Sequence, residues 1–371
     1  MKIGFDAKRA FTNNTGLGNY SRTIINALNQ SYPELELNLY APKERNPMHY
    51  VPPKNVVAHY PKGAVARKFS SYWRTFSLAR RLENDGIDIF HGLSNEIPVR
   101  ISCSNVKSVV TIHDLIFMRL PHLYKPIDRA IYKRKVQSAV READRIIAIS
   151  RQTRDDLIEF FGAEEDKLRI VYQGCNPWFY EKVSSDKAAA TAEKYNLPAE
   201  YLLYVGTIEE RKNLLTIVKA LHEARINIPL VAVGRKTAYF EKVIAYIEKH
   251  KISQVLFHHH IDNEDLPAVY QQSRAFIYPS RYEGFGIPVL EAINSGVPVI
   301  TSHGGCLEES AGPGGFFIDP GNTEQLAGHI RRILDDSALR EEAVKKGKKH
   351  AMKFREKSTV AELMKVYSEM V

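Results

Sequence analysis

A chain of 371 residues, 44% apolar and 26% charged, is long enough for two or three domains and too apolar for disorder. Its 52 basic and 43 acidic side chains leave a formal charge of +9, with a pI near 9.2. That excess lies wholly in the first half: residues 1–175 carry 27 Lys and Arg against 18 Asp and Glu, and residues 176–371 carry 25 of each. The imbalance implies an anionic partner, whether polyanion, membrane surface or acidic substrate. Three cysteines, at 103, 175 and 306, have no short spacing, which excludes a CxxC zinc ribbon and argues against a disulfide framework. Met1-Lys2 runs straight into the strand pattern Ile3-Gly4-Phe5-Asp6 instead of a signal peptide. No window reaches the ~18 uninterrupted apolar residues of a membrane span. The expectation is a soluble, cytoplasmic protein, peripheral at most on the inner face of the cytoplasmic membrane.

In chain order, the β-branched runs predict strands at 3–6, 35–40, 56–59, 88–91, 109–111, 145–149 and 168–171, with helical patterns such as 19–28 and 129–143 between them. The scheme repeats at 201–205, 229–233, 255–257, 275–278, 297–301 and 316–318. Short buried strands separated by helices indicate parallel sheets covered on both faces. The fold class is therefore α/β, with two doubly wound domains at 1–175 and 176–355. The chain-breaking residues Gly174, Asn176 and Pro177 mark the boundary. A last helix within 356–371 lies beyond the final strand and can pack on either domain, the first among them. Two such domains facing each other would line a cleft with the carboxyl ends of their strands, so motifs that follow strands carry most weight.

Four motifs stand there. After the strand at 275–278 comes Glu283-Gly284-Phe285-Gly286-Ile287-Pro288-Val289-Leu290-Glu291. Its glycines allow close backbone approach, Pro288 suits a first helical turn, and the freed amides can meet a phosphate or sugar edge. The two carboxylates, with seven residues between them, can reach separate polar parts of one extended ligand. The plainer alternative is a glycine turn with an acid favoured by the helix dipole. After the strand at 201–205, Arg211 and Lys212 stand before a helix and can clamp a diphosphate without metal; the alternative is a solvated charged turn. Gly16 and Gly18 begin a glycine loop that lacks a third glycine at Ser21 and the later acid of a nicotinamide site. His113 and Asp114 end another buried strand, where His113 is suited to a sugar hydroxyl or is a structural histidine. Glu308, after Gly304-Gly305, is a weaker ligand candidate. His258-His259-His260 is rejected as a metal site, because adjacent strand positions face opposite ways.

These residues resemble the family 4 retaining glycosyltransferases, the glycosyl transferases group 1, in the Glu-x7-Glu motif at Glu283 to Glu291. Ser295-Gly296-Val297-Pro298, Gly304-Gly305-Cys306-Leu307-Glu308 and Asp319-Pro320 extend the likeness. His113-Asp114, Gly16-Leu17-Gly18-Asn19-Tyr20 and the segment 206–213 fall in the expected order. The resemblance implies the GT-B fold, with two Rossmann-like domains: an acceptor-binding domain first and a nucleotide-sugar-binding domain second. It implies that Glu291 binds the donor ribose and Glu283 the hydroxyls of the transferred hexose. Arg211 and Lys212 would hold the diphosphate and neutralise the leaving group. The backbone of Gly284, Phe285 and Gly286 would meet the sugar, Gly16 and Gly18 would line the phosphate side, and His113 would lie near the reacting centre. Thr207, where many members carry Arg, and the Arg-Lys-Asn that follows resemble mannosyltransferases. That likeness favours GDP-mannose over UDP-sugars as co-substrate, with no obligatory metal and no other cofactor.

The basic first half suggests the acceptor. Residues 62–82 supply Lys62, Arg67, Lys68, Arg74, Arg80 and Arg81 with no acid, and Phe69, Trp73, Phe76 and Arg80 recur at helical spacing. A membrane-facing helix and a solvated helix with a buried aromatic stripe are both consistent with this pattern. The implied partner is a glycan or lipid-linked saccharide in surface polysaccharide assembly, beside an anionic membrane. A nucleotide-sugar epimerase or hydrolase of the same fold is the alternative enzyme. A nucleic-acid-binding protein leaves the paired glutamates unexplained and lacks any stacking motif.

Overall fold

The computed structural model describes residues 1–371, the side chain of Val65 excepted. The chain divides into two compact units, Met1–Gln173 with Arg355–Val371, and Gly174–Phe354. The first holds seven parallel strands: β1 (Lys2–Asp6), β2 (Glu36–Tyr40), β3 (Val57–His59), β4 (Ile89–Gly92), β5 (Lys107–Ile112), β6 (Arg145–Ala148) and β7 (Leu168–Ile170). Their order is β3-β2-β1-β4-β5-β6-β7. Val109, Val110 and Ile112 on β5 are fully buried on both faces of the sheet, as a covered parallel strand requires. The helices α1 (Gly16–Ser31), α2 (Leu78–Asn84), α3 (Pro126–Glu142) and α4 (Arg151–Phe161) cover it. On α1 the buried residues Tyr20, Ile24 and Leu28 recur every four positions, which aims one stripe at the core. Ser150 caps α4 by accepting the Thr153 N–H, and Gly162 ends it in the left-handed region.

The second unit repeats the plan with six strands: β8 (Leu202–Val205), β9 (Leu230–Val233), β10 (Val255–His258), β11 (Ala275–Tyr278), β12 (Val299–Ser302) and β13 (Gly315–Ile318). Their order is β10-β9-β8-β11-β12-β13. Three of its helices matter below: α5 (Leu214–Glu223), α6 (Ile287–Asn294) and α7 (Gly305–Ala311). Each sheet reverses its strand order once, between β1 and β4 and between β8 and β11. Ligands of open α/β sheets bind in the crevice at that reversal, beyond the carboxyl ends of the strands.

The last helix, α8 (Glu356–Ser368), belongs to the first unit. Its Val360, Leu363, Val366 and Tyr367 join Ile3, Phe5, Ile24 and Leu28 in one core. The Tyr367 hydroxyl bonds His91 Nδ1 at 2.7 Å, and His91 Nε2 bonds Thr111 Oγ1 at 2.8 Å, so this buried imidazole has partners at both nitrogens. Arg145 and Arg169 both bond Glu369 just beyond the helix.

Two local expectations change. The segment 62–82 is not one helix: short helices at Ala64–Lys68 and Ser70–Tyr72 lead into a π-helical turn at Trp73–Ser77 and then α2. The wider turn rotates the aromatic stripe out of register. Trp73 packs on the cluster of Tyr40, Leu78 and Leu82, whereas Phe69, Tyr72 and Phe76 stand exposed. The glycine loop is likewise the first turn of α1. A methyl group on Gly18 would lie 1.9 Å from the Asn13 carbonyl oxygen, while one on Gly16 would meet nothing within 4 Å. Gly18→Ala is therefore expected to lower the melting temperature, with an overpacking cost of ~1–3 kcal/mol, and Gly16→Ala to leave it nearly unchanged. Equal melting temperatures for the two variants, read by circular dichroism, would contradict this.

Candidate functional site

The reversal point of the second sheet brings together the loops that leave β8 and β11. After β8 a single helical turn at Glu210–Lys212 reaches Asn213, whose backbone is left-handed at φ 61°. Asn213 is buried, and its amide nitrogen donates to the carbonyls of Pro279 at 3.3 Å and Pro320 at 2.6 Å. Its amide oxygen accepts the Thr216 hydroxyl at 2.9 Å. The Arg281 N–H donates to the Arg211 carbonyl at 2.8 Å, and the Ser280 hydroxyl reaches the same oxygen. These bonds fix Arg211 and Lys212 against the loop that carries Glu283.

The charged groups then meet. Arg211 Nη1 lies 2.6 Å from Glu283 Oε1 and also donates to the Tyr282 carbonyl, while Nη2 donates to Glu209 at 2.6 Å. Glu283 Oε1 further accepts the hydroxyls of Tyr278 at 2.8 Å and Ser280 at 2.9 Å. Glu291, on α6, accepts the Tyr270 hydroxyl at 2.9 Å. Lys212 stands with its ammonium 5.5 Å from the centre of the Tyr278 ring, and among the described residues it makes no ion pair. Of the two expected cations, then, Arg211 is committed to the glutamates and Lys212 is available.

Environment separates the two carboxylates. Burial works to raise the pKa of Glu283, but Lys212, Arg211 and the hydrogen bonds it accepts hold it below the ordinary range. Burial dominates at Glu291 and pushes it up to about 7, against the opposing pull of the Tyr270 hydrogen bond and Lys212. Glu283 is thus a fixed anion, and Glu291 is an acceptor whose charge changes near neutral pH.

The other motif residues take different positions. Phe285 is buried with its ring against Phe354, so only its backbone can face a ligand. Gly286 adopts φ 111°, and a methyl group there would come within 2.8 Å of Leu307. The Val289 and Leu290 amides return to the Gly286 carbonyl, and among the described residues the Gly286 and Ile287 N–H groups of that turn have no backbone acceptor. Glu308 is turned to its own loop, where it accepts the Gly304 N–H at 2.7 Å at the start of α7. Cys306 on the same helix donates its thiol to the Glu283 carbonyl. The sequence reading missed Tyr270, Tyr278 and Ser280; the signal for the last two was their place at the end of β11, just before the glutamate.

In the first unit, His113 is buried after β5 and its Nε2 donates to the Leu93 carbonyl at 2.9 Å. Burial pushes its pKa down to about 4, so the ring is neutral at pH 7 and Nδ1 is its acceptor nitrogen. Tyr20 on α1 meets the His113 ring edge-on at 4.7 Å. Asp114 accepts the Ile116 N–H. The rings of His258, His259 and His260 reach separate neighbours, Tyr195, Phe240 and Asp262. Among the described residues, no three metal-ligating side chains converge.

A carboxylate whose folded pKa lies above its unfolded value gives up stability as pH rises from about 4.5 to about 7. Glu291→Gln is expected to melt higher than the parent at pH 8 and at nearly the same temperature at pH 4, where the carboxyl is protonated in both the folded and the unfolded chain. A difference that does not change with pH would contradict the assignment.

Sequence and structure comparisons identify the family. The profile of the glycosyl transferases group 1 matches residues 188–350, and that of glycosyltransferase family 4 matches residues 15–179. The O-antigen chain mannosyltransferase B of Escherichia coli is 30% identical over 286 residues, covering 75% of this chain and 74% of its own. A serotype-specific mannosyltransferase of the same organism, WbdA, is 28% identical over 72% of this chain, but that match spans only 34% of its own length. A sucrose-phosphate synthase from Thermosynechococcus elongatus superposes with a TM-score of 0.78 at 20% identity, over 100% of this chain and 98% of that one. Anabaena HepE, solved with UDP, does so at 0.76 and 16% over both full chains. The chain belongs to the family 4 glycosyltransferases of GT-B fold and is a nucleotide-sugar-dependent glycosyltransferase.

Proposed function

We propose that the protein transfers mannose from GDP-mannose, with retention of configuration, to a glycan or lipid-linked saccharide in the assembly of a surface polysaccharide. The observation that carries this reading is the set Glu283, Arg211, Lys212 and Glu291 at the reversal point of the second sheet. The mannosyltransferase relatives support the sugar and the O-antigen-like product class. In this reading the second unit holds the donor and the first the acceptor.

Each residue then has a task its chemistry suits. Glu291, ionised above about pH 7, accepts hydrogen bonds from the ribose hydroxyls. Lys212 takes the diphosphate, and its fixed charge offsets the negative charge that grows as the sugar–phosphate bond breaks. Glu283, held by Arg211, Tyr278 and Ser280, accepts hydrogen bonds from the mannose hydroxyls without needing to reorganise. His113 offers Nδ1 to a sugar hydroxyl. The acceptor oxygen bonds to the anomeric carbon on the face the diphosphate leaves, and the departing phosphate oxygen takes the acceptor's proton. Products are the mannoside and GDP, so no enzyme nucleophile is required. No helix among the described residues is long and apolar enough to cross a membrane. The exposed Phe69, Tyr72 and Phe76 beside a run of basic residues support peripheral attachment to the inner face of the cytoplasmic membrane.

The cations separate in a direct test. Lys212→Ala is expected to lose at least about a hundredfold in donor turnover, with a smaller fall in melting temperature than Arg211→Ala. Arg211→Ala strands Glu283 and is expected to cost about 3–5 kcal/mol of stability as well. GDP should raise the melting temperature of the parent more than UDP. A larger rise with UDP would overturn the donor base, and no response to any nucleotide sugar would overturn the donor site.

A further inference from the structure

The first sheet has a reversal point of its own, between β1 and β4, and the donor reading leaves it unused. Asp6 closes β1 there, and Glu96 lies four residues beyond β4. Arg74, carried in by the π-helical turn, joins them: Nε donates to Asp6 at 2.8 Å and Nη1 to Glu96 at 2.7 Å. Lys135 on α3 closes the other side of Glu96 at 2.9 Å. The cluster is balanced, with two anions and two cations, and all four side chains line a groove of about 610 Å³. That volume falls within the ~300–1,000 Å³ of small-ligand sites.

The rest of the lining is largely apolar. Phe76 and Val99 line the groove, as do Ile127, Ala130 and Ile131 of α3. Phe76 is 55% exposed, Ile127 75% and Ile131 46%, values at which large apolar side chains lose the benefit of burial. Arg134 and Arg141 line the same groove, and Arg134 makes no ion pair or hydrogen bond among the described residues. Residues 119–141 hold seven basic side chains against the single acid Asp128. The whole surplus of +9 stays in this unit, because Arg355, Lys357 and Lys365 of the returning segment are matched by Glu356, Glu362 and Glu369.

We propose that this groove holds the lipid anchor of the acceptor: a hydrocarbon chain lies between Phe76 and Ile131, and its phosphate meets Arg134. The inference rests on the reading that the acceptor is lipid-linked. Apolar walls suit the chain, the unpaired cation suits the phosphate, and the reversal point sets the saccharide end at the carboxyl edge of the sheet. A free glycan uses neither the apolar walls nor the excess charge.

The test measures the affinity of the full-length protein for alkyl phosphates of six, eight and ten carbons, at monomeric concentrations, by calorimetry. Affinity is expected to rise about fourfold per methylene until the groove is filled. Ala130→Trp, at an exposed position on the groove wall, should flatten that series. Arg134→Glu should weaken every member about tenfold without changing the increment per methylene. Equal affinity for inorganic phosphate and decyl phosphate would overturn the proposal, as would a series that Ala130→Trp leaves intact. Vesicles of phosphatidylcholine and phosphatidylglycerol supply the remaining arm: loss of vesicle binding in Ala130→Trp would make bilayer lipid, not the acceptor, the occupant and would overturn it too. The melting response to GDP, followed in every variant, reports the donor site separately, so failure of one reading leaves the other testable.

Discussion

Placing a carboxylate inside a protein costs several kcal/mol unless a partner and hydrogen bonds replace the water it loses. At Glu283 the replacement is complete enough to keep the group ionised: Arg211 at 2.6 Å, the hydroxyls of Tyr278 and Ser280, and the charge of Lys212. The organisation of the second unit's site follows from that pair. Arg211 is spent on holding the anion, which leaves Lys212 as the cation for a ligand. The backbone bond from Arg281 to Arg211 and the side chain of Asn213 keep both loops in register, so the pair forms without searching many rotamers. Glu291 has only one hydroxyl and a more distant ammonium, and it is the one whose pKa rises. Two glutamates eight positions apart in sequence therefore have different charge behaviour because their surroundings differ.

The two units use the same architecture for different electrostatic ends. Each concentrates charge where its sheet reverses. In the second unit the net charge is zero and the cations act locally, whereas the first carries the entire surplus on and around α3 and the segment before α2. The π-helical turn at Trp73–Ser77 has two effects at once: it sends Arg74 inward to Asp6 and Glu96, and it leaves Tyr72 and Phe76 facing outward. A regular helix would have kept its aromatic residues on one face.

Much of this was legible in the sequence. Every predicted strand is present to within a few residues, because β-branched runs buried on both faces have few other uses, and the α/β class follows from their alternation with helices. The Glu-x7-Glu spacing pointed to the second unit's candidate site because it is local: a glycine turn, a helix start and two acids lie on one short segment. What stayed hidden depends on partners distant in sequence. Tyr278 read only as the last residue of a strand, and Tyr270 belonged to no motif, until their hydroxyls are seen on the glutamates. Glu308 read as a ligand candidate, but its carboxylate turns back to Gly304. The aromatic stripe of 62–82 misled because periodicity assumes a constant 3.6 residues per turn, and a π turn breaks that assumption. Gly16 and Gly18 looked alike as a loop, yet only Gly18 is pressed against backbone.

The account stands most directly on Arg211 and Glu283 acting as one unit in donor binding. A double-mutant cycle in the dissociation constant for GDP-mannose, with Arg211→Met, Glu283→Gln and the two combined, measures that coupling. The account predicts that the double variant binds no worse than the weaker single variant, since either change alone already removes the pair. Losses that multiply in the double variant would show two independent residues and would contradict it.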